Sequence, residues 1–421
     1  MSGRGEAPLV CSFIQSVNSP QTANVSQGRR GLILGVYLSV LSALYLLPLG
    51  LYSPCIKEDG TLGPAPALIG HRGAPMLAPE NTLMSFEKAV EAGSDGLETD
   101  VTISVDGVPF LMHDHTLRRT TNVHQAFPNR TDTPAAMFSW AELESLNAGA
   151  WFLSLNPFGT AGSLGAEDRL RAAKQTVCSL QAFLQLAART DRRVIFDLYR
   201  PPRGHPFRDS WIQRTLEVVQ NESSIRSSQG LWVPSDLRSL VQELDSELQQ
   251  TSGSRFPLEE LQSSGIVTLN LHYSAMSPRL TSEYAAVNIT TNLYVVSQPW
   301  LFSLAWCSGV HSVTTNAPQL LGSLRSPLFL MSPDEYDLMW ILTDLVSLVL
   351  IFIIFIFHWW RERRLTSCSS SVTPENGTYS KFSTDLHLPV SCSGLPTSCS
   401  PVHSLPVCSS TTSARQQSPS F

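Results

Sequence analysis

Residues whose types and spacing could do chemistry are concentrated between positions 68 and 122, where histidines, paired carboxylates and arginines lie close together. A short apolar run ends at His71, Arg72 and Gly73, which predicts a buried strand with polar residues at its end. In the next predicted strand Glu98 and Asp100 are two positions apart and therefore point to the same side. Because two carboxylates on one face repel each other, we expect a positive charge between them.

Metal-assisted hydrolysis is the chemistry that these residue types suggest. Carboxylates are ligands of hard cations such as Ca²⁺ or Mg²⁺, whereas zinc is more often held by cysteine or several histidines. His71 and His113 could divide the proton transfers at the nucleophile and the leaving oxygen, each contributing about 10²–10⁴-fold. The residues alone leave open which histidine does which. Arg72 is placed to hold an anion such as phosphate.

The elements that must position these residues can be predicted from the same stretch. Asn81 or Thr82 can cap a helix whose apolar residues recur at helical spacing up to Gly93. Asp106 and Gly107 predict a hairpin turn, after which a strand brings His113 to the same end. Strand, helix and strand with polar residues at the strand ends indicate the active face of a (β/α)₈ barrel, an α/β fold.

The spaced motifs of this stretch resemble the glycerophosphodiester phosphodiesterase family, and in particular its multi-pass membrane members. The matching elements are His71 to Gly73, Ala78 to Thr82, Glu98 with Asp100, Asp106-Gly107, His113-Asp114 and Arg119 to Thr121. The resemblance extends to about Pro318 and implies a TIM barrel over residues 66–322. It further implies that the two motif histidines are acid and base and that Glu98 and Asp100 bind the metal.

The resemblance also indicates where this chain departs from the family. Asp197 lies in a predicted strand at the place of a third metal-binding carboxylate, which is usually Glu. Tyr199 stands where Lys is common; a phenol can donate a hydrogen bond but carries no positive charge. We expect an insertion at about residues 123–176 to cap the barrel mouth. Its residues Trp140, Trp151 and Phe152 could line a substrate pocket or form a small core of their own.

The function that the resemblance implies is metal-dependent hydrolysis of extracellular glycerophosphodiesters. Glycerophosphoinositol is the first expected substrate, with glycerol and inositol 1-phosphate as products, and Ca²⁺ is favoured over Mg²⁺ as the divalent cation. Two alternatives are cleavage of the glycosylphosphatidylinositol anchors of cell-surface proteins and a catalytically silent surface receptor or scaffold. The presence of both His71 and His113 argues against a scaffold, and a net charge of −6 argues against a nucleic-acid surface.

Two apolar runs predict transmembrane helices on either side of the barrel. Residues 31–52 follow Arg29 and Arg30, and residues 338–358 precede a group of arginines. Each run is long enough to cross about 30 Å of hydrocarbon. A signal peptide is the competing interpretation of the first run.

The flanking charges predict a multi-pass protein of the cell membrane. Basic residues beside both runs place both termini in the cytoplasm and residues 53–337 outside. Glycosylation sequons at Asn129, Asn221 and Asn288 fall in that outer region. The terminal segments, residues 1–30 and 359–421, are predicted to be disordered cytoplasmic tails.

Two further expectations concern cysteines and the start of the chain. Cys55, Cys178 and Cys307 lie in the outer region, so at most one pair forms and one thiol is left over, with the pairing open. Cys368 is a palmitoylation candidate. The multi-pass family members carry several helices before the catalytic region where this chain has one, so we expect a form shortened at its N-terminus.

Overall fold

A closed barrel of parallel strands is the centre of the computed structural model, which describes residues 27–50, 53–235, 237–275 and 277–369. Nine strands of the described chain form one sheet: β1 (Ala67–His71), β2 (Gly96–Ile103), β3 (Pro109–Leu111), β4 (Arg193–Leu198), β5 (Gly230–Trp232), β6 (Gln249–Ser252), β7 (Ile266–His272), β8 (Thr290–Tyr294) and β9 (Ser312–Thr315). β1 pairs in parallel with both β2 and β9, which closes the barrel, and β3 pairs antiparallel with β2 outside it. The predicted TIM-like barrel is confirmed.

Successive side chains of the barrel strands point alternately inward and outward, and both faces of the barrel carry apolar residues. Outward-facing residues such as Leu97 and Phe196 are fully buried in the core cluster between strands and helices. Inward-facing Ile69, Ile195 and Leu231, from β1, β4 and β5, pack against one another inside the barrel. The strands therefore lie between an inner and an outer core, as a barrel requires.

Helices cover the outside of the barrel and follow most of its strands. Their bounds are Leu83–Glu91, Leu180–Arg189, Trp211–Glu217, Arg238–Leu244, Leu258–Ser263, Pro278–Ala285, Pro299–Cys307 and Pro318–Leu321. Short 3₁₀ turns occur at Pro48–Gly50, Pro128–Arg130, Ala135–Met137, Ala161–Ser163, Ser227–Gln229 and Tyr273–Ala275, and a π turn at Val218–Glu222. The first barrel helix begins after Thr82, whose side chain accepts a hydrogen bond from the Ser85 N–H, so Thr82 is the cap of the two predicted.

The predicted insertion forms a small helical subdomain between β3 and the helix Leu180–Arg189. Its helices are Val123–Ala126, Trp140–Glu144, Ala150–Leu155 and Ala166–Ala173. Phe152 is buried with Ala78, Met84 and Ala172 in a separate core cluster. Phe152 therefore belongs to a core, as the second interpretation predicted, but this core is shared with Ala78 and Met84 outside the insertion.

The elements that follow β4 in the second half of the barrel are short. The helix after β5 spans only Arg238–Leu244, and β6 begins at Gln249. The strands β5 and β6 were not predicted, because β5 has three residues and β6, with sequence QQTS, contains no apolar residue. The closing strand β9 has four residues, Ser312–Thr315.

The membrane predictions are supported for one helix. Within the described residues one helix is long and apolar enough to cross a membrane, Pro333–Arg364, which includes the second predicted span. At the first predicted span the helix Gln27–Leu46 has an apolar part of only Gly31–Leu46, so a membrane crossing there stays a prediction.

Parts of the two tails that were predicted to be disordered are helical. The N-terminal helix includes residues 27–30, and the helix Pro333–Ser369 includes residues 359–369. In the second case no proline or glycine interrupts the sequence between residues 359 and 369. The described residues form two units, the second of which begins at Phe352. In that unit the Arg363 guanidinium lies 3.9 Å from the centre of the Trp359 ring, one helical turn away. The rest of both predicted tails, residues 1–26 and 370–421, lies outside the described residues.

One disulfide joins the segment after the N-terminal helix to the barrel. Cys55 is bonded to Cys307 at the end of the helix Pro299–Cys307, and Cys178 is a free, buried thiol. This agrees with the expectation of one pair and one thiol left over. Next to the disulfide, the Met331 N–H donates to the Cys55 carbonyl at 3.3 Å, so the segment before the long apolar helix is held at the same place.

Removing this disulfide is expected to destabilise the barrel. The double substitution Cys55→Ser with Cys307→Ser should lower the free energy of unfolding by about 2–5 kcal/mol, because the bond closes a loop of most of the domain in the unfolded chain. Thermal unfolding of the full-length protein measures the loss. Cys178→Ser is the matched control, which leaves the disulfide intact; an equal loss in both variants would contradict the prediction.

Candidate active site

Three acidic side chains converge at the edge of the barrel where the parallel strands end. β2 carries Glu98 and Asp100, and β4 carries Asp197 directly beside Asp100 in the strand register. One carboxylate oxygen from each residue lies within 4.8 Å of the others. Glu98 is 7% exposed and Asp100 is 2% exposed, so their charges are largely removed from water. The structure brings together the three residues that the sequence assigned to a metal.

The electrostatics of this cluster favour a bound cation. Burial, and then the charge of Asp100, raise the pKa of Glu98 well above its ordinary value. The same two causes raise the pKa of Asp197 to about 6. A divalent cation would remove this repulsion, and an all-oxygen donor set fits either Ca²⁺ or Mg²⁺.

Arg72 partly compensates the cluster. Its Nε lies 3.2 Å from Asp100 Oδ2 and its Nη1 lies 3.0 Å from Glu80 Oε1. Its backbone N–H donates to Glu98 Oε2 at 2.9 Å. This turn needs glycine next in sequence, because Gly73 has a φ of +89° and a Cβ there would collide with Ser85. The predicted phosphate-binding role of Arg72 stays a prediction.

His71, at the end of β1, is held by an amide. Its Nδ1 lies 2.6 Å from Oδ1 of Asn316, which directly follows β9. Because an amide oxygen can only accept, Nδ1 carries the hydrogen and Nε2 keeps its lone pair. Burial, and then the neighbouring Arg72 charge, lower the pKa of His71 to about 4. His71 is therefore neutral at neutral pH.

His113, in contrast, is held by a carboxylate. Its Nδ1 lies 2.9 Å from Asp114 Oδ1, and Arg119 binds the same carboxylate through Nε at 2.7 Å and Nη2 at 2.8 Å. Although burial opposes it, the hydrogen bonds from His113 and Arg119 hold the pKa of Asp114 below its usual range. Asp114 is therefore shared between His113 and Arg119.

Glu80 is the residue of this site that the sequence interpretation missed. Arg119 donates to it from Nη1 at 2.8 Å and Nη2 at 2.6 Å, and Arg72 donates to it at 3.0 Å. Burial opposes ionisation, but the Arg119 hydrogen bonds and the Arg72 charge lower the pKa of Glu80. Its position inside the motif from Ala78 to Thr82 was a signal, although one carboxylate among loop residues does not reveal its partners.

Tyr199 and Asn81 complete the surroundings of the carboxylates. The Tyr199 hydroxyl lies 3.4 Å from both Asp100 Oδ1 and Asp197 Oδ2. Burial, followed by the charges of these two residues, raises the pKa of Tyr199, so the phenol stays protonated. Asn81 Nδ2 donates to Asp100 Oδ2 at 2.8 Å. Both side chains donate hydrogen bonds to the carboxylates. Their residue types allow this, but the sequence does not show that they lie beside the cluster.

The raised pKa values predict that cation binding depends on pH. In the metal-free folded protein the pKa of Asp197 is about 6, so at higher pH the ionised carboxylate lowers the free energy of unfolding. This loss of stability is absent below the pKa of about 3.9 that Asp197 has in the unfolded chain. Metal binding requires the ionised form. We therefore expect millimolar Ca²⁺ or Mg²⁺ to raise the unfolding temperature of the full-length protein more at pH 7.5 than at pH 5.0.

The metal-induced rise in unfolding temperature should be about 2–4 °C for each kcal/mol of binding free energy. Asp197→Asn removes one ligand and should reduce the metal-induced rise at pH 7.5, whereas Glu144→Gln, an exposed position away from the cluster, should not. Equal rises at the two pH values would show that the cluster does not bind the cation.

Known proteins have similar sequences and a similar fold. Residues 71–205 match the glycerophosphoryl diester phosphodiesterase family. The chain is 51% identical over 329 residues to glycerophosphodiester phosphodiesterase domain-containing protein 5 of Homo sapiens, covering 78% of this chain and 54% of the relative. It is 44% identical over 338 residues to the glycerophosphoinositol inositolphosphodiesterase of Mus musculus, covering 79% of this chain and 61% of the relative. The chain thus spans little more than half the length of these relatives.

A solved structure supports the fold. The structure of an Oleispira antarctica phosphodiesterase in complex with the product sn-glycerol-3-phosphate has a TM-score of 0.50 and 23% sequence identity to this chain. The match covers 62% of this chain and 96% of that chain. At this sequence identity the similarity is one of fold alone.

Proposed function

We propose that this chain, which carries a domain of the glycerophosphoryl diester phosphodiesterase family, hydrolyses glycerophosphodiesters with the help of a divalent cation. The observation that carries the proposal is the convergence of Glu98, Asp100 and Asp197 at the barrel mouth. The two motif histidines add proton transfer to this cluster. A binding protein would need the cation but not two such groups.

Glu98, Asp100 and Asp197 would hold the cation, which supplies Lewis-acid stabilisation of the negative charge that develops on the phosphate. Arg72 adds a fixed positive charge beside this position. Its Nη1 is bonded to Glu80, and its Nη2 has no partner among the described residues, which leaves that nitrogen available to a phosphate oxygen.

We infer the roles of the two histidines from their different partners. His71 is neutral with a free lone pair on Nε2, so it takes the proton from the attacking water. The ring of His113 is oriented by the Asp114 carboxylate at Nδ1, and we give His113 the role of the acid that delivers a proton to the departing alkoxide. A bond forms between the water oxygen and phosphorus, and the bond from phosphorus to the glycerol oxygen breaks. Proton return from His71 to His113 through solvent completes the cycle.

Glycerophosphoinositol is the first substrate that we propose, with glycerol and inositol 1-phosphate as products. The proposal is supported by the name of the mouse relative, a glycerophosphoinositol inositolphosphodiesterase. We further propose that the barrel lies outside the cell and both termini inside. The helix Pro333–Arg364 ends in a group of arginines, as a cytoplasmic membrane end would. The predicted sequons support the outer placement, since Asn129, Asn221 and Asn288 are all exposed.

His113 offers a matched pair of variants. His113→Ala should lower kcat by about 10²–10⁴-fold because the proton donor is lost. His115→Ala removes an exposed histidine two positions away and should leave kcat unchanged. Steady-state kinetics with glycerophosphoinositol measures both. If the two variants had the same activity, His113 would not be the acid.

The proposed activity is tested by release of glycerol and inositol phosphate from glycerophosphoinositol by the purified full-length protein. Turnover should require Ca²⁺ or Mg²⁺, stop with a chelator, and be lost in Glu98→Gln but not in Glu144→Gln. Comparing the two cations identifies the metal, and comparing glycerophosphoinositol with glycerophosphocholine identifies the headgroup. Absence of turnover with every glycerophosphodiester and either cation would overturn the proposal.

A further inference from the structure

The interior of the barrel is apolar on one side and polar on the other. The inner apolar core comes from β1, β4 and β5. On the other side Asn292 Nδ2, from β8, donates to Asn270 Oδ1 of β7 at 2.7 Å and to Thr314 Oγ1 of β9 at 2.8 Å. Buried polar groups need such partners, and here they supply them to one another. The polar side of the interior therefore lies along β7, β8 and β9.

Two ring side chains continue this polar side to the mouth of the barrel. His272 is the last residue of β7 and Tyr294 the last of β8, and the two are neighbours in the strand register. The residues before them, Leu271 and Leu293, are buried in the outer core, so alternation along the strands turns His272 and Tyr294 inward. Their ring centres are 5.9 Å apart. His272 is nevertheless exposed and Tyr294 only half-buried, so both rings border the open mouth.

The two rings lie across the mouth from the three carboxylates. Around the eight-stranded barrel β7 is four strands away from β2, which carries Glu98 and Asp100. In the same way β8 is four strands away from β4, which carries Asp197. Eight strands spaced by about 4.8 Å and tilted by about 36° give a barrel about 15 Å wide between backbones. Side chains that point inward from both sides can therefore contact one small phosphodiester between them.

Each of the two rings has a hydrogen-bonding group to offer. The backbone N–H of Ser274 donates to His272 Nδ1 at 3.3 Å, and Ser274 Oγ lies 2.8 Å from the same nitrogen. Because Nδ1 accepts a hydrogen bond, the ring carries its hydrogen on Nε2. Within the part of the chain that the structure describes, neither His272 Nε2 nor the Tyr294 hydroxyl has a hydrogen-bond partner. Both groups are therefore available to the hydroxyl groups of a ligand.

The charge beside this pair favours one class of ligand. Arg255, which follows β6, donates to the carbonyl of Ala275 in the turn directly after His272. Arg255 has no carboxylate partner among the described residues, so its positive charge is not compensated there. The ring of Tyr273 in the same turn lies 4.2 Å from that of His272 and offers an exposed aromatic surface. Such surroundings suit a neutral group with several hydroxyls and repel a cationic one.

We propose that His272 and Tyr294 determine the specificity of the site by binding the headgroup that stays on the phosphate when glycerol leaves. The proposal rests on the proposed function, in which the phosphate is held beside the carboxylates. His71 ends β1 and His113 follows β3, so both proton-transfer groups, and with them the bond that breaks, are on the carboxylate side of the mouth. The remaining substituent of the phosphate then extends toward β7 and β8. The headgroup bound there is a neutral polyol such as inositol, in preference to choline or ethanolamine.

Calorimetric titration of the full-length protein with three phosphate esters, in Ca²⁺ and in Mg²⁺, tests this assignment. The parent protein should bind inositol 1-phosphate more tightly than phosphocholine. His272→Ala should weaken the binding of inositol 1-phosphate by about 3–10-fold, the loss expected for one hydrogen bond. The binding of methyl phosphate, which has no headgroup to reach β7 and β8, should not change. Tyr294→Phe keeps the ring and removes only the hydroxyl, so it tests the second group should His272→Ala fail to fold.

His124→Ala is the matched control, because it removes an exposed histidine of the insertion and should leave the binding of all three esters unchanged. Unchanged affinity for inositol 1-phosphate in both His272→Ala and Tyr294→Phe would overturn the inference. It would also be overturned by equal losses for inositol 1-phosphate and methyl phosphate, or by a parent protein that prefers phosphocholine. Binding does not require turnover, so a protein that shows the expected affinities but hydrolyses no phosphodiester would contradict the proposed function and still support the headgroup site.

Discussion

Repulsion among Glu98, Asp100 and Asp197 is the constraint on which the rest of the site depends. The parallel register places Asp100 beside Asp197, and the two-residue spacing places Glu98 on the same inner face, so the fold itself forces the three charges together. Burial strengthens their repulsion, because the surrounding dielectric is lower than that of water. The barrel tolerates this arrangement because the surrounding strand and loop residues carry donors that point at the cluster, and because a cation can bind there. A centre that is unfavourable when empty is therefore also one that favours metal binding.

Charges of alternating sign connect this cluster to the second histidine. From Asp100 the contacts run through Arg72, Glu80, Arg119 and Asp114 to His113. Each inner member of this row has an oppositely charged neighbour on both sides, so none of these inner charges is left unpaired. The insertion takes part, because the ring of Trp151 lies 5.6 Å from the Arg119 guanidinium. This row of contacts therefore holds His113 in position relative to the carboxylates, although His113 follows β3 and the carboxylates lie on β2 and β4.

The parts of the site that depend on the pattern of nearby residues were predicted from the sequence. His71 and the Glu98–Asp100 pair lie at strand ends, and apolar alternation over a few residues is enough to locate such strands. Interactions between distant residues could not be predicted in the same way. The partners of Glu80 are eight and 39 residues away, and the disulfide joins cysteines 252 residues apart. The strands β5 and β6 were missed for a related reason: their place in the barrel is set by their neighbours, and their own sequences are too short or too polar to show it.

The two histidines show how such distant contacts determine chemistry. Residue type gives them the same range of roles, and only their partners differ: an amide for His71 and a carboxylate for His113. The amide belongs to Asn316, which follows the strand that closes the barrel against β1. That strand is preceded by the helix Pro299–Cys307, which the disulfide ties to the segment leading from the N-terminal helix. The hydrogen-bond partner of His71 therefore depends on closure of the barrel. The roles proposed for the two histidines therefore rest on contacts of the complete fold and could not be derived from the motifs alone.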